Sequence, residues 1–306
     1  MNTHPRKLAT LLVVACATYC FAQMSPISQN HAASERMFNG WKTVQAPHHI
    51  IGNINYVGPG GVSSWLITTP QGHILIDTTF EDCVPQICTN IEKLGFKVAD
   101  IKIILNSHAH IDHSGGHAAM KLRTGAQIVA SAADAHLMET GGADDFSPFP
   151  KDLMTYTPVK ADRIVQDGDT VSLGGVTLTA HLTPGHTKGA TTWTMPLEDG
   201  GKTYQVVFLS SVSIADPTPL RNNPAYPGIA EDYAATFKTL KALPCDILLA
   251  PHADQFNLHP KLAKLDAGAT PNPFIDPDGW KKLLANAEAT YLRQLAAESQ
   301  AEAKKP

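Results

Sequence analysis

Residues 108–113 read His-Ala-His-Ile-Asp-His, which places three imidazoles and a carboxylate within six positions. Imidazole nitrogen and carboxylate oxygen, with no thiolate nearby, suit zinc or a similar borderline ion held at about 2.0 to 2.2 Å. Any one of the fourteen histidines would by default be an ordinary surface or core residue, but this density directly after an apolar run is a metal signature. Side chains alternate along an extended segment, so His108 and His110 can face one position. Asp112 and His113 fall where the chain turns into the next helix and can face a second position close by. Two metals about 3.5 to 4 Å apart can share a water and polarise a substrate together. Four side chains do not complete two such sites, because a catalytic zinc usually takes three protein ligands and keeps one place open. His186, in Thr-Pro-Gly-His-Thr (183–187), and His252, in Ala-Pro-His-Ala-Asp (250–254), each follow an apolar strand in a turn and are the best remaining ligands. His73, His117, His136, His181 and His259 read as surface, core or supporting residues.

The elements that must position these groups are legible in the patterning. Short β-rich runs over 50–57, 62–69 and 73–77 are divided by Gly/Pro turns and read as antiparallel strands. Apolar residues at 84, 87, 91 and 94 give a helix stripe that stops at Gly95. Residues 101–105 are Ile and Leu apart from Lys102, as expected of a strand buried on both faces, and the histidine cluster follows at its carboxyl end. Helix over 114–123, strand over 127–130 and helix over 132–138 continue the alternation. Residues 141–158 have no periodicity and form a long loop of the kind that is often functional. Strands follow over 163–165, 170–173, 176–181, 191–195 and 204–209, then a helix over 229–243, a strand over 245–250 and a closing helix from Trp280. No structure is expected over 24–47. The strand-helix order occurs twice, so two similar halves split near 160 would pack two sheets together with helices outside, an α/β (α+β) arrangement.

The 306 residues suffice for a large single core. Arg6 and Lys7 precede an apolar run over 8–17, and Cys20-Phe21-Ala22 offers small residues for cleavage, so residues 1–22 read as a signal peptide and 23–306 as one domain. A cleavage before Cys16, giving a lipoprotein anchor, is the alternative. The run is too short to span a bilayer. Without the leader, 22 basic residues face 28 acidic ones, a formal charge of about −6, and no basic patch suggests nucleic-acid binding. Cys83, Cys88 and Cys245 would remain, an odd number that cannot pair fully within one chain. Whether Cys83 and Cys88 bridge depends on their geometry.

The runs HAHIDH (108–113), TPGHTKGATTW (183–193) and LPCDILLAPH (243–252) resemble class B metallo-β-lactamases of the third subclass, over about 41–295. The first run is shared across the whole fold superfamily and so speaks to fold more than substrate. The resemblance implies a four-layer αβ/βα sandwich with the metal site at one edge of the two sheets. It also implies two zinc ions, one on His108, His110 and His186 and the other on Asp112, His113 and His252. Where glyoxalase II, lactonases and other relatives carry a bridging aspartate, this chain has Leu-Ser-Ser-Val-Ser (209–213), and it lacks the zinc-binding cysteine of the other β-lactamase subclasses there. Ser211 and Ser213 would then bind the substrate carboxylate. Asp77 matches a position that supports the metal loop. The chain departs from the pattern at Trp280, where the family often has a cysteine bonded to the one corresponding to Cys245, which leaves Cys245 unpaired.

What the resemblance implies is a hydrolase of penicillins, cephalosporins or carbapenems that confers antibiotic resistance, and export to the periplasm fits it because these drugs act outside the inner membrane. Its nucleophile would be a metal-activated hydroxide oriented by Asp112, with no covalent intermediate. Partners would be the β-lactam alone, with the enzyme a monomer. Phe149, Met154 and Tyr156 are candidates for either pocket wall or core. The rival readings are another superfamily hydrolase acting on lactones or thioesters, and a zinc-binding protein without catalysis.

Overall fold

A computed structural model describes residues 30–304; the leader and lipoprotein readings lie outside these residues. The first half opens with α1 (His31–Trp41) and runs through β1 (His48–Ile51), β2 (Ile54–Tyr56), β3 (Trp65–Thr69), β4 (Gly72–Ile76), α2 (Val84–Lys93) and β5 (Ile101–Leu105). After the histidine cluster come α3 (Ile111–Ser114), α4 (His117–Thr124), β6 (Gln127–Ser131), α5 (Ala132–Glu139), α6 (Lys151–Met154) and β7 (Arg163–Val165). The second half comprises β8 (Thr170–Leu173), β9 (Val176–Leu182), β10 (Thr191–Asp199), β11 (Lys202–Phe208), α7 (Ile229–Ala242), β12 (Ile247–Leu249), α8 (Leu258–Asp266) and α9 (Pro277–Ala303).

Strand alternation builds the layers. The seven strands β1 to β7 lie in sequence order in one sheet, and the other five form a second sheet in the order β12-β11-β10-β9-β8. In the first sheet Trp65, Ile67, Ile74, Ile76, Leu105 and Val129 face Trp193, Met195 and Phe208 of the second in one shared core. The intervening residues Leu66, Leu75, Ile104 and Ile128 point the other way and pack on α2, α4 and α5. Helices α7 and α9 supply Tyr233, Phe237, Leu284 and Tyr291 to the core on the second sheet's side. The two sheets are thus flanked by helices, as expected. Because β4, β5, β6 and β7 are parallel, their carboxyl ends share one edge, where the cluster begins.

Several expectations need correcting. Residues 31–41 are helical rather than irregular: Asn30 caps α1 through a 3.0 Å bond from Ala33 N–H, and buried Phe38 anchors it in a small cluster with Phe80 and Met154. The strand expected over 50–57 is the hairpin β1–β2. One helical turn, α6, interrupts the 141–158 loop, and α8 forms over Leu258–Asp266, where no element is expected from the sequence. Cys83, Cys88 and Cys245 are all free thiols.

Candidate metal centre

Buried Ile101, Ile104 and Leu105 carry the chain to the sheet edge, where Asn106 and Ser107 pass into the turn that holds His108 and His110. One helical turn, α3, then presents Asp112 and His113. From the second half, β9 leads through Thr183 and Pro184 to Gly185 at φ +135°, a conformation open almost only to glycine. An added Cβ would also lie 2.9 Å from the Tyr233 ring, so the turn that delivers His186 depends on this glycine. His252 follows β12 and is held by Ser63 N–H on Pro251 O (2.8 Å) and Ala253 N–H on Gly61 O (3.1 Å).

These residues meet as two groups. His108, His110 and His186 bring one ligand atom each within 4.8 Å of one another, and so do Asp112, His113 and His252. The groups adjoin, with the His108 and His113 rings 4.0 Å apart. Hydrogen-bond partners fix which ring nitrogen is free. Ser213 O accepts from His186 Nδ1 (2.8 Å), and Asp77 Oδ2 lies 3.2 Å from His113 Nδ1. Ser107 donates its hydroxyl to Asp77 Oδ2 (2.5 Å), leaving Oγ to accept from His108 Nδ1 (3.1 Å). Each arrangement turns Nε2 toward the site. His108 Nε2 is buried without any hydrogen-bond partner, and His113 Nε2 faces only Asp112 Oδ2, 3.1 Å away. Orphaned imidazole nitrogens facing an anionic oxygen fit a divalent metal, since buried polar atoms are otherwise satisfied.

The electrostatics agree. Burial, reinforced by the neighbouring histidines, holds His108 well below its usual range, and burial likewise lowers His186 to about 3 and His252 to about 4. Burial opposes charge on Asp112, but His113, whose Nε2 is 3.1 Å away, outweighs it and keeps the carboxylate ionised. His113 is also buried, yet Asp112 and Asp77 raise it to about 9. Burial acts downward on His110 too, and Asp145 Oδ2, 3.0 Å from Nε2, raises it. Without metal, His113 therefore holds a second proton that a metal must displace.

His110, Asp112, His186 and His252 floor an open cavity of about 230 Å³. Met37, Phe38 and Trp41 of α1 form one wall and Phe146, Phe149 and Met154 another, while Ser213, Thr218, Tyr233 and Gln255 contribute polar atoms. No Lys or Arg is among the described residues lining it. Ser213 faces the cavity, whereas Ser211 is buried behind it with its hydroxyl 3.0 Å from that of Ser213. Tyr156 lies outside the lining and donates to Ala109 O at 2.7 Å. His117 is a fully buried partner of Thr78 Oγ1 (2.7 Å).

Sequence reasoning missed the α1 wall, Asp145 and Asp134. The apolar Met37, Phe38 and Trp41 at helical spacing were the one available signal for the first. The two aspartates have no local pattern.

The metallo-beta-lactamase superfamily profile matches residues 57–252. Among solved structures, the chain is similar to the native FEZ-1 metallo-beta-lactamase from Legionella gormanii, with 41% identity, a TM-score of 0.82, and coverage of 84% of this chain and 98% of that one. It is also similar to BJP-1, a subclass B3 metallo-beta-lactamase of Bradyrhizobium japonicum, with 43% identity, a TM-score of 0.79, and coverage of 85% and 97%. A hydroxyacylglutathione hydrolase from Hyphomonas neptunium is 32% identical over 117 residues, 38% of this chain and 37% of that protein. The match to such curated relatives thus spans little more than a third of their length. With the profile running from just after β2 to the last ligand-bearing turn, and solved relatives sharing the fold over nearly their whole length, this chain belongs to the metallo-beta-lactamase superfamily.

Proposed function

We propose that the protein hydrolyses the amide of β-lactams with two zinc ions, one held by His108, His110 and His186 and the other by Asp112, His113 and His252. The observation that carries this reading is the pair of adjacent three-ligand groups, floored in a cavity whose polar wall at 209–213 offers serine where other hydrolases of the fold would need a bridging carboxylate. The similarity to solved metallo-beta-lactamases over nearly their full length supports it.

Zinc, when bound, supplies Lewis acidity that polarises a carbonyl and lowers the pKa of water toward about 7. Asp112, held ionised at the cavity floor, accepts a hydrogen bond from the attacking water and orients it. The aromatic walls bury the substrate's apolar part and exclude bulk water. The Ser213 hydroxyl and Gln255 amide face the cavity as donors for a substrate carboxylate, with Ser211 backing Ser213. The Ser213 hydroxyl is 3.3 Å from His186 Nδ1, but that nitrogen spends its proton on Ser213 O, so the imidazole is not available there as a base. This favours direct attack by water over an acyl-enzyme.

Residues 1–22 are proposed as an export leader and 23–306 as a single, monomeric, periplasmic domain whose activity confers antibiotic resistance. The basic-apolar-small order of the leader supports export. No helix of the described residues is long and apolar enough to cross a membrane.

Purified protein assayed on a penicillin, a cephalosporin and a carbapenem is expected to open the ring and to lose activity with EDTA. Zinc-loaded protein that cleaves lactones or thioesters but no β-lactam refutes the reading.

A further inference from the structure

The three-histidine group is assembled from two distant segments: His108 and His110 follow β5, while His186 follows β9. Between them sits a residue that no metal reading uses. Asp134, in the first turn of α5, is only 1% exposed. Its Oδ2 accepts from Ala109 N–H (3.0 Å), the amide between His108 and His110, and from Thr187 Oγ1 (3.2 Å), next to His186. Asn106 Nδ2 donates to the same oxygen (3.2 Å), and Gly189 N–H donates to Oδ1 (3.1 Å). Four donors from both ligand-bearing segments converge on one carboxylate, about as many as its lone pairs can serve.

The surroundings hold this arrangement fixed. Ser131, the N-cap of α5, donates to Gly189 O at 2.6 Å. A Cβ at Gly189 would lie 2.4 Å from Asp134 N and 2.6 Å from Oδ1, so the second segment reaches the carboxylate only because residue 189 is glycine. Asn106 Oδ1 accepts from Ser114 Oγ (2.5 Å), which turns the amide's NH₂ group toward Asp134. An ion pair would have been enough to neutralise a buried aspartate. A carboxylate met only by neutral donors from two segments is a spacer that sets their separation.

We propose that Asp134 is a positioning residue that locks the His108/His110 segment to the His186 segment and thereby sets the metal affinity of the three-histidine group. The inference rests on the metal assignment of the proposed function and not on the substrate. In Asp134→Asn one acceptor becomes an NH₂ group that must oppose Gly189 N–H or the Oδ2 donors. The two segments then part at the three-histidine group, while the Asp112 group, joined through α3 and His252, keeps its geometry.

Cobalt(II) titration followed by visible ligand-field absorption tests this in two backgrounds. His252→Ala leaves the three-histidine group intact, and His186→Ala leaves the Asp112 group intact. Asp134→Asn is expected to weaken binding about 10- to 100-fold in the first background, the range for lost supporting contacts to metal ligands, and under about threefold in the second. Equal weakening in both backgrounds, as from a general loss of stability, overturns the proposal, as does no weakening in either. If Asp134→Asn does not fold, Thr187→Val, which removes a single Oδ2 contact, decides with the same contrast at a several-fold level. Wild-type protein that binds two cobalt ions yet opens no β-lactam refutes the proposed hydrolysis alone and leaves this inference standing, whereas wild-type protein that binds no cobalt overturns both.

Discussion

Asp77 offers the sharpest test of how the ligand loop is held. Its Oδ1 accepts from Ser107 N–H at 2.8 Å, and its Oδ2 is met by the Ser107 hydroxyl at 2.5 Å and His113 Nδ1 at 3.2 Å. It does so from a left-handed backbone at φ +58°. In Asp77→Ala the Ser107 hydroxyl can rotate toward His108 Nδ1, 3.1 Å away. Ser107 N–H and His113 Nδ1 have no such alternative, and each buried orphan donor costs about 2 kcal/mol. Alanine in the left-handed region adds about 1 kcal/mol. The expected destabilisation of metal-free protein is therefore about 5 kcal/mol, a large share of the 5 to 15 kcal/mol typical of a domain. Asp77→Asn tolerates the backbone and keeps one acceptor, so it should lose about 2 kcal/mol. Urea unfolding of the chelated proteins, with slopes compared to confirm the same transition, measures both. A midpoint for Asp77→Ala that corresponds to a loss under about 1 kcal/mol would refute the claim that this carboxylate holds the loop.

Five further outcomes are expected. Although burial opposes it, His113 is raised to about 9 by Asp112 and Asp77, and its proton must leave before Nε2 can bind metal; affinity of the Asp112 group should therefore climb with pH and level off near 9, and a flat profile from pH 6 to 9 contradicts this. The same shift stabilises the metal-free fold fully below about 6.5 and fades as pH rises through about 9. Asp145→Asn removes the charge 3.0 Å from His110 Nε2 and loosens the loop carrying Phe146 and Phe149, so metal affinity should drop about tenfold with a rise in KM, as read by competition with a chelator and by steady-state kinetics. Gly185→Ala should cost about 2 kcal/mol and lower activity through His186, which thermal unfolding and metal content report; wild-type values for both would contradict the turn argument. Burial raises the Cys83 and Cys245 thiols to about 11 and about 12, so neither should react with a thiol reagent at neutral pH until the protein unfolds, and fast labelling of either in native protein would contradict their burial.

The sequence by itself determined what depends on local order. The ligand types and spacing at 108–113, the turns bearing His186 and His252, and most strands were legible because alternation, helix stripes and Gly/Pro breaks are properties of neighbouring residues. Helix α1 was missed because its mixed surface forms a helix by docking Phe38 and Trp41 over the site, a long-range contact. Tertiary structure alone decided which nitrogens face inward, since Ser213 and Asp77 set the His186 and His113 tautomers from distant segments, and Asp77 orients the Ser107 hydroxyl against His108. It alone brought Asp134 to Ala109 and Thr187, and Asp145 to His110. A carboxylate's role is set by the donors folded against it, and those donors lie 25 and 53 residues away in the chain, beyond any pattern in the residues around Asp134.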